Sequence, residues 1–471
     1  MKLSSLMEKA QAGPYKLLRL LLDQEGPHTL KSLQEETGLS KSTLIKYQEL
    51  LQEQLLGLAR LSLLEEEVSL ELALGVAPED LVQPFLADSV KYEILMHLLR
   101  QQRFSVSHLS SQLLVSEATF NRHLARLNEL LSEFEIKISK GTLKGPEHQV
   151  RIFYFQLLRM TWTARQLEKH SPLDHYSQEL ALVQRLVQED LDVEAKNRLR
   201  VWFYVTKKRL TASKETDQLA ALMQPYQGNV FYERTRLECL RYLSRYALEV
   251  DESEAMQVFA FLNSQFILPL HTMTYILGFG GPIMDRVTQT QQFLRKAGFL
   301  GDYTSEHVTY QLGQLFGQAY FYRGKIRWSD GDRKPEMVRS NPDMAACANE
   351  IRDRYFPDKL SPAFSQTILW ELQHTLYYIR EKEQVGVRIA LDLEAREILY
   401  YRMRHDLETC LENNRLVEIE EYDPTQPYDL IISNQGWSSY GDRAVYFLQN
   451  DLNSVDQEAI KKQVAKLLHS E

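Results

Sequence analysis

Along residues 116–131 the apolar side chains Phe120, Leu124, Leu127 and Leu131 recur at i, i+4, i+7 and i+11, the spacing of a single stripe on an α-helix. Thr119, Arg122, Ala125 and Arg126 then project from the opposite side, with Asn121 at its edge. Ser116 stands where a hydroxyl caps the free amides of a first helical turn. Just upstream, Val106, Leu109 and Leu113 predict a shorter helix, so the two together read as a helix-turn-helix. A plain helical hairpin gives the same pattern, and the residues that follow favour the first reading. Ile136 and Ile138 alternate with Glu135, Lys137 and Ser139 up to Lys140-Gly141, which predicts a β-hairpin and hence a winged helix. Lys137, Lys140 and Lys144 fall on or near that wing, where compact ammonium groups meet phosphates without reading sequence.

The same unit occurs earlier. Residues 30–56 align with it, pairing Ser40 with Ser116, Thr43 with Thr119, Lys46 with Arg122 and Leu51 with Leu127. Ser42, Thr43 and Lys46 are therefore the first copy's candidate DNA-facing residues. Gly38 supplies the residue that tolerates a left-handed turn between helices, a role Leu114 fills less comfortably in the second copy. The first copy's hairpin ends in "VSLELAL" and carries Glu65, Glu66 and Glu67 at its tip, where phosphate would be repelled. The second copy is thus the expected main contact, through Thr119, Asn121, Arg122, Arg126, Lys137, Lys140 and Lys144.

Residues 160–385 carry aromatic-rich helical periodicity, as in "RLRVWFYVTKKRL" and "QLGQLFGQAYFYRGKI", and predict helical bundles. "LGFGGP" at 277–282 would cradle a phosphate only after a strand; the preceding "HTMTYI" reads as helix, so the glycines are expected to form a hinge. "SDGDRKPE" is expected as a polar loop between helices. From about residue 385 the pattern changes to short apolar runs: "VRIALDL", a helix from Glu394, "LVEIEEY", "YDLIIS", "AVYFLQN" and a final helix "DQEAIKKQVAKLL". Strands alternating with helices predict a small parallel α/β sheet.

At 471 residues the chain needs several domains, and its formal charge of -9 confines any nucleic-acid contact to a local basic patch. Three widely spaced cysteines, Cys239, Cys347 and Cys410, fit a reducing compartment, and no long apolar run or signal-type segment is seen, so a cytoplasmic chain off the membrane is expected. No catalytic constellation stands out. His405 and Asp406 are adjacent on a helix and point apart, while Glu65–Glu67 lack a suitably spaced histidine, so neither an enzyme, a metal site nor a cofactor is expected. An acidic protomer with one small basic unit gains phosphate contact by pairing, which predicts a homodimer or larger homo-oligomer on double-stranded DNA.

The stretch "SEATFNRHLARLNELLSEFEIKISKGTLKGPEHQVRIFYFQLL" resembles the second winged helix of the Mga and AtxA-like transcription regulators, including the "KG" turn and the "LKGPEHQVR" tail. The resemblance extends by order and pattern over the whole chain. It implies a multidomain, mainly α protein: a first winged helix-turn-helix at 1–75, a Mga-type second at 76–158, helical PRD bundles (phosphotransferase-system regulation domains) at 159–279 and 280–384, and an enzyme IIB-like α/β domain at 385–471. Enzyme IIB carries phosphate on a cysteine after its first strand; here the loop near Asp392 has none and Cys410 falls in the following helix, which implies lost transfer chemistry. PRD histidines are phosphorylated by sugar-transport phosphocarriers, which makes such proteins candidate partners and His374 of "LWELQHTLYYI" the candidate site, although a packing histidine fits there as well. In the first bundle, "VWFYVTKKRL" has aromatic residues where a PRD histidine is often found. The alternatives are a phosphocarrier, disfavoured by the missing cysteine, and a PRD-type RNA-binding antiterminator, whose N-terminus would be β-rich rather than helical and doubled.

Overall fold

In the computed structural model the pattern-derived repeats both form. The structure describes residues 1–471 apart from 24–27, 65, 213–214, 245–251, 302–304, 329–340, 358, 384–386, 395–396, 412–416, 437–438, 449–451 and 469–471. The first repeat comprises α1 (Lys9–Leu22), β1 (His28–Thr29), α2 (Leu30–Thr37), α3 (Lys41–Gln54), β2 (Ala59–Leu64) and β3 (Glu67–Leu72). Its antiparallel sheet has the order β1-β3-β2. Strand β1 is too short to leave a periodicity and was not legible in the sequence. Gly38 ends α2 at φ +68, as its place between two helices requires.

The second repeat follows α4 (Pro78–Leu86) and consists of α5 (Val90–Gln101), α6 (Val106–Gln112), α7 (Glu117–Leu131), β4 (Lys137–Ser139) and β5 (Thr142–Lys144). Phe120, Leu127 and Leu131 are buried as the stripe predicted; Leu130 joins them and Leu124 is only half-buried. Leu114 takes the same left-handed conformation as Gly38, at φ +55, with its side chain 93% exposed.

Helix α8 (Glu147–Thr161) continues directly from the wing and is buried along most of its length. Its Arg151 donates to Glu147 at 2.9 Å and forms a two-pronged pair with Glu254 at 2.7 Å, while Arg209 reaches Glu147 at 2.7 Å. Burial alone would depress the Arg151 pKa, but Glu254 and Glu147 outweigh it and hold the guanidinium charged. Ions this deep are tolerated only because each is paired.

The helices that follow are α9 (Ala164–His170), α10 (Ser177–Val187), α11 (Val193–Arg209), α12 (Asp217–Met223), α13 (Val230–Ser244), α14 (Glu252–Leu262), α15 (Leu270–Leu277), α16 (Pro282–Lys296), α17 (Glu306–Phe321), α18 (Pro342–Tyr355) and α19 (Pro362–Tyr378). Aromatic rings fill the first group: Trp202 stacks on Phe261 at 4.0 Å, and Phe155 meets Phe261 edge-on at 4.9 Å. The glycines at 278–281 join α15 to α16; a helix precedes them, so they make the turn expected of a hinge rather than a strand-to-helix phosphate loop. The "SDGDRKPE" loop lies outside the described residues.

The contacts divide the chain into two compact units, residues 1–290 with 309–372, and residues 291–308 with 373–471. The second contains β6 (Val387–Asp392), α20 (Glu397–Leu411), β7 (Val417–Glu421), β8 (Leu430–Ser433), β9 (Val445–Phe447) and α21 (Ser454–Leu468). All its strand pairs are parallel, in the order β7-β6-β8-β9. The anticipated parallel α/β sheet is therefore present, but strict alternation of strand and helix is not. Among the described residues no helix lies between β7 and β8 or between β8 and β9. The expected helix from Glu394 is described from Glu397. Ile389, Leu391 and Ile432 meet Leu407, Ile460 and Val464 in its core.

Candidate nucleic-acid interface

Helix α7 owes its start to Ser116, whose Oγ accepts from the Thr119 amide at 3.2 Å. In the first repeat Ser40 accepts from the Thr43 amide at 3.3 Å, so the aligned residues perform the same local task. Beyond the cap, Asn121, Arg122, Ala125 and Arg126 are exposed along α7, and Thr119 is half-buried. Arg122 donates to Thr119 Oγ1 at 3.0 Å, which holds the guanidinium over the first turn. Arg126 pairs with Glu129, both at 62% exposure, so the arginine can exchange this partner cheaply for another anion.

The wing is a two-residue hairpin. Ser139 pairs with Thr142, Ile138 with Leu143 and Lys137 with Lys144, and the turn residues Lys140 and Gly141 have φ of +51 and +70. Both positive angles fit a type I′ turn, and a β-carbon on Gly141 would come 2.0 Å from the Phe104 carbonyl oxygen. Lys140 accepts a left-handed backbone that costs a non-glycine residue about 1 kcal/mol. Lys137 and Lys144, exposed and directly opposite, are like charges across a ladder. That arrangement is unfavourable until an anion lies between them.

What fixes wing against helix is Asn128, which the hydrophobic pattern did not single out. Its side-chain amide donates to the Ile138 carbonyl at 3.0 Å and accepts from the Ile138 amide at 2.6 Å. In a two-residue hairpin the second pair from the turn directs its backbone groups outward, so Asn128 completes Ile138 in place of a third strand. Arg103, also not singled out, is exposed and bridges to Thr142 on the free side of β5, adding a cation beside the lysines. Two of the segment's carboxylates are drawn elsewhere, Glu133 to the Met1 amine and Glu135 to Gln218 at 2.7 Å, while Glu129 stays on α7 beside Arg126.

The first repeat presents less positive charge. Ser42 and Lys46 are exposed, but the hydroxyls of Ser42 and Thr43 lie 3.0 and 2.9 Å from Ser40 Oγ. Glu66 at the hairpin tip pairs with Lys41, cancelling a cation at the start of α3, while Glu65 lies outside the described residues. His374 is half-buried on α19 between the buried Leu372 and Leu376.

Residues 76–158 match the family model of the Mga helix-turn-helix domain. The Mga domain thus runs from just before α4 to near the end of α8 and includes α7, the wing and Asn128. The match supports the resemblance to Mga-like regulators over those residues and points to a DNA-binding regulator. No curated protein matches the chain. Among the described residues no helix is long and apolar enough to cross a membrane.

Proposed function

We propose that the protein is a cytoplasmic transcription regulator, not an enzyme, that binds double-stranded DNA through its Mga domain. Helix α7 enters the major groove with Thr119, Asn121, Arg122 and Arg126, and the lysines at 137, 140 and 144 meet flanking phosphates. The observation that carries this reading is the Asn128 clamp, which sets an exposed polar-basic helix face and a lysine-bearing hairpin in one fixed geometry. Ser42, Thr43 and Lys46 serve as a weaker, secondary contact.

The remaining domains tune this contact. The helices after α8 fit PRD bundles, and the parallel order β7-β6-β8-β9 is compatible with an enzyme IIB-like domain whose phosphate-carrying cysteine is absent. Phosphocarrier action on His374 and homo-oligomerisation belong to the same reading. Gel-shift titrations on duplex DNA and RNA hairpins over a salt series test it. Duplex binding should fall as salt rises and weaken in Arg122→Ala/Arg126→Ala; unchanged duplex affinity of the folded double variant refutes the helix assignment, and preference for the RNA hairpin would favour the antiterminator class.

A further inference from the structure

A cavity of about 560 Å³ opens between α10, α11, α13 and α14 in the first compact unit, with no lining residue from α7 or the wing. Its volume falls within the range of small-molecule sites. Leu182, Val183, Trp202 and Cys239, all buried, form the inner wall, and Phe203 and Val258 extend it. Burial pushes the Cys239 thiol up to about 12, so it contributes as a neutral, apolar group. Asp174, His175 and Ser177 stand exposed at the mouth.

The polar groups define the charge of what fits. Lys207 is already engaged by Glu179 at 2.8 Å, by the His175 carbonyl at 3.2 Å and by the Tyr176 ring at 4.3 Å. Lys207 is held by Glu179 and Arg151 by Glu254, so neither cation is spare for an anion such as a sugar phosphate. Glu254 is saturated by the two prongs of Arg151 and has no use for a ligand cation. Thr206 lines the cavity as well, but its Oγ1 is sealed off and out of a ligand's reach, which leaves the apolar wall to make the contacts.

We propose that this cavity is an effector site for a neutral, mainly aromatic molecule of one or two rings. The site is wired to the wing. Glu254 on its floor grips Arg151, Arg151 grips Glu147, and Glu147 follows the wing strand β5 by three residues. Filling the cavity changes the packing around Glu254 and so shifts α8, from which the wing emerges. The ligand site stands independently of DNA binding; its regulatory consequence rests on the function proposed above.

The test uses the full chain and 2-naphthol as probe, with 2-naphthoate as the anionic counterpart, followed by calorimetry without DNA. 2-Naphthol should bind one per chain and 2-naphthoate should not. Val183→Phe on α10 and Val258→Phe on α14 fill the space from different walls, and whichever folds as wild type should bind at least tenfold more weakly. Amide hydrogen exchange of residues 137–144 should change with 2-naphthol in wild type and not in the filled variant. Absence of saturable binding, or binding unaffected by filling, overturns the site; binding without any change in wing exchange overturns the wiring. Intact 2-naphthol binding and wing response in a protein that binds no duplex would sink the DNA-binding reading alone.

Discussion

Replacing Asn128 by Ala removes both hydrogen bonds that hold the wing to α7 while leaving the hairpin's own ladder in place. Each such bond contributes about 1 kcal/mol net, and a partly buried donor and acceptor left unpaired raise the cost. Ile138 is 7% exposed, so water replaces the lost partner poorly, and the loss is about 2–3 kcal/mol. It should appear as detachment of the wing rather than global unfolding, because the Phe134–Phe153 contact and the Arg151 network beneath are untouched. Amide exchange at Ile138 should therefore accelerate roughly 30- to 150-fold, since about 1.4 kcal/mol is a factor of ten. Asn128→Asp keeps the acceptor for the Ile138 amide and loses the donor, so it should fall between. Duplex affinity should decline in the same order. Unchanged protection at Ile138 in the folded Ala variant would refute the reasoning, whatever happens to DNA binding.

Lys140→Asn relieves a left-handed lysine, so it should stabilise the hairpin by about 1 kcal/mol and yet lower the log–log salt slope of duplex binding by about 0.9, the share of one phosphate; an unchanged slope would show that Lys140 does not touch DNA. Leu114→Gly should raise thermal stability by about 1 kcal/mol, because the residue sits exposed at φ +55, and an unfolding curve that moves the other way would assign Leu114 a packing role. His148 is fully buried, and desolvation with help from Arg323 lowers its pKa to about 3. The unfolded chain, with a pKa near 6.5, then binds the extra proton, so stability is intact above about pH 6.5 and falls by about 1.4 kcal/mol per pH unit below it, until the pH reaches the folded value. His148→Gln should flatten that acid limb, read by denaturant titration between pH 4 and pH 7, and an unchanged limb would place the sensitivity elsewhere.

The parts of the interface that could be read from the sequence are those encoded within a few residues. A serine ahead of an apolar stripe starts α7, as the first repeat confirms by recurrence, and a turn needing two left-handed residues announces itself through Lys140-Gly141. Asn128 escaped because a polar residue on a helix looks solvated until a strand edge is laid beside it. Arg103 escaped because its bridge to Thr142 spans two helices. Nothing within "GPEHQVR" marks its charges as enclosed, yet Glu147, His148 and Arg151 are buried; the ionic partners Arg209 and Glu254 lie 62 and 103 residues downstream. In the C-terminal sheet the apolar runs marked the strands, but run lengths carry no information on whether a helix or a bare loop returns the chain between them.

The ion network around Arg151 also bears on how this DNA-binding element can be inherited or transplanted. Sequence similarity draws its border at residue 158, inside α8, with Glu147 and Arg151 on one side and both of their distant partners on the other. A recombination event or a graft made at that border would strand a guanidinium and a carboxylate in a helix built to be enclosed. The unit that selection can exchange is therefore larger than the unit that similarity outlines, and it must carry α11 and α14 along with the winged helix.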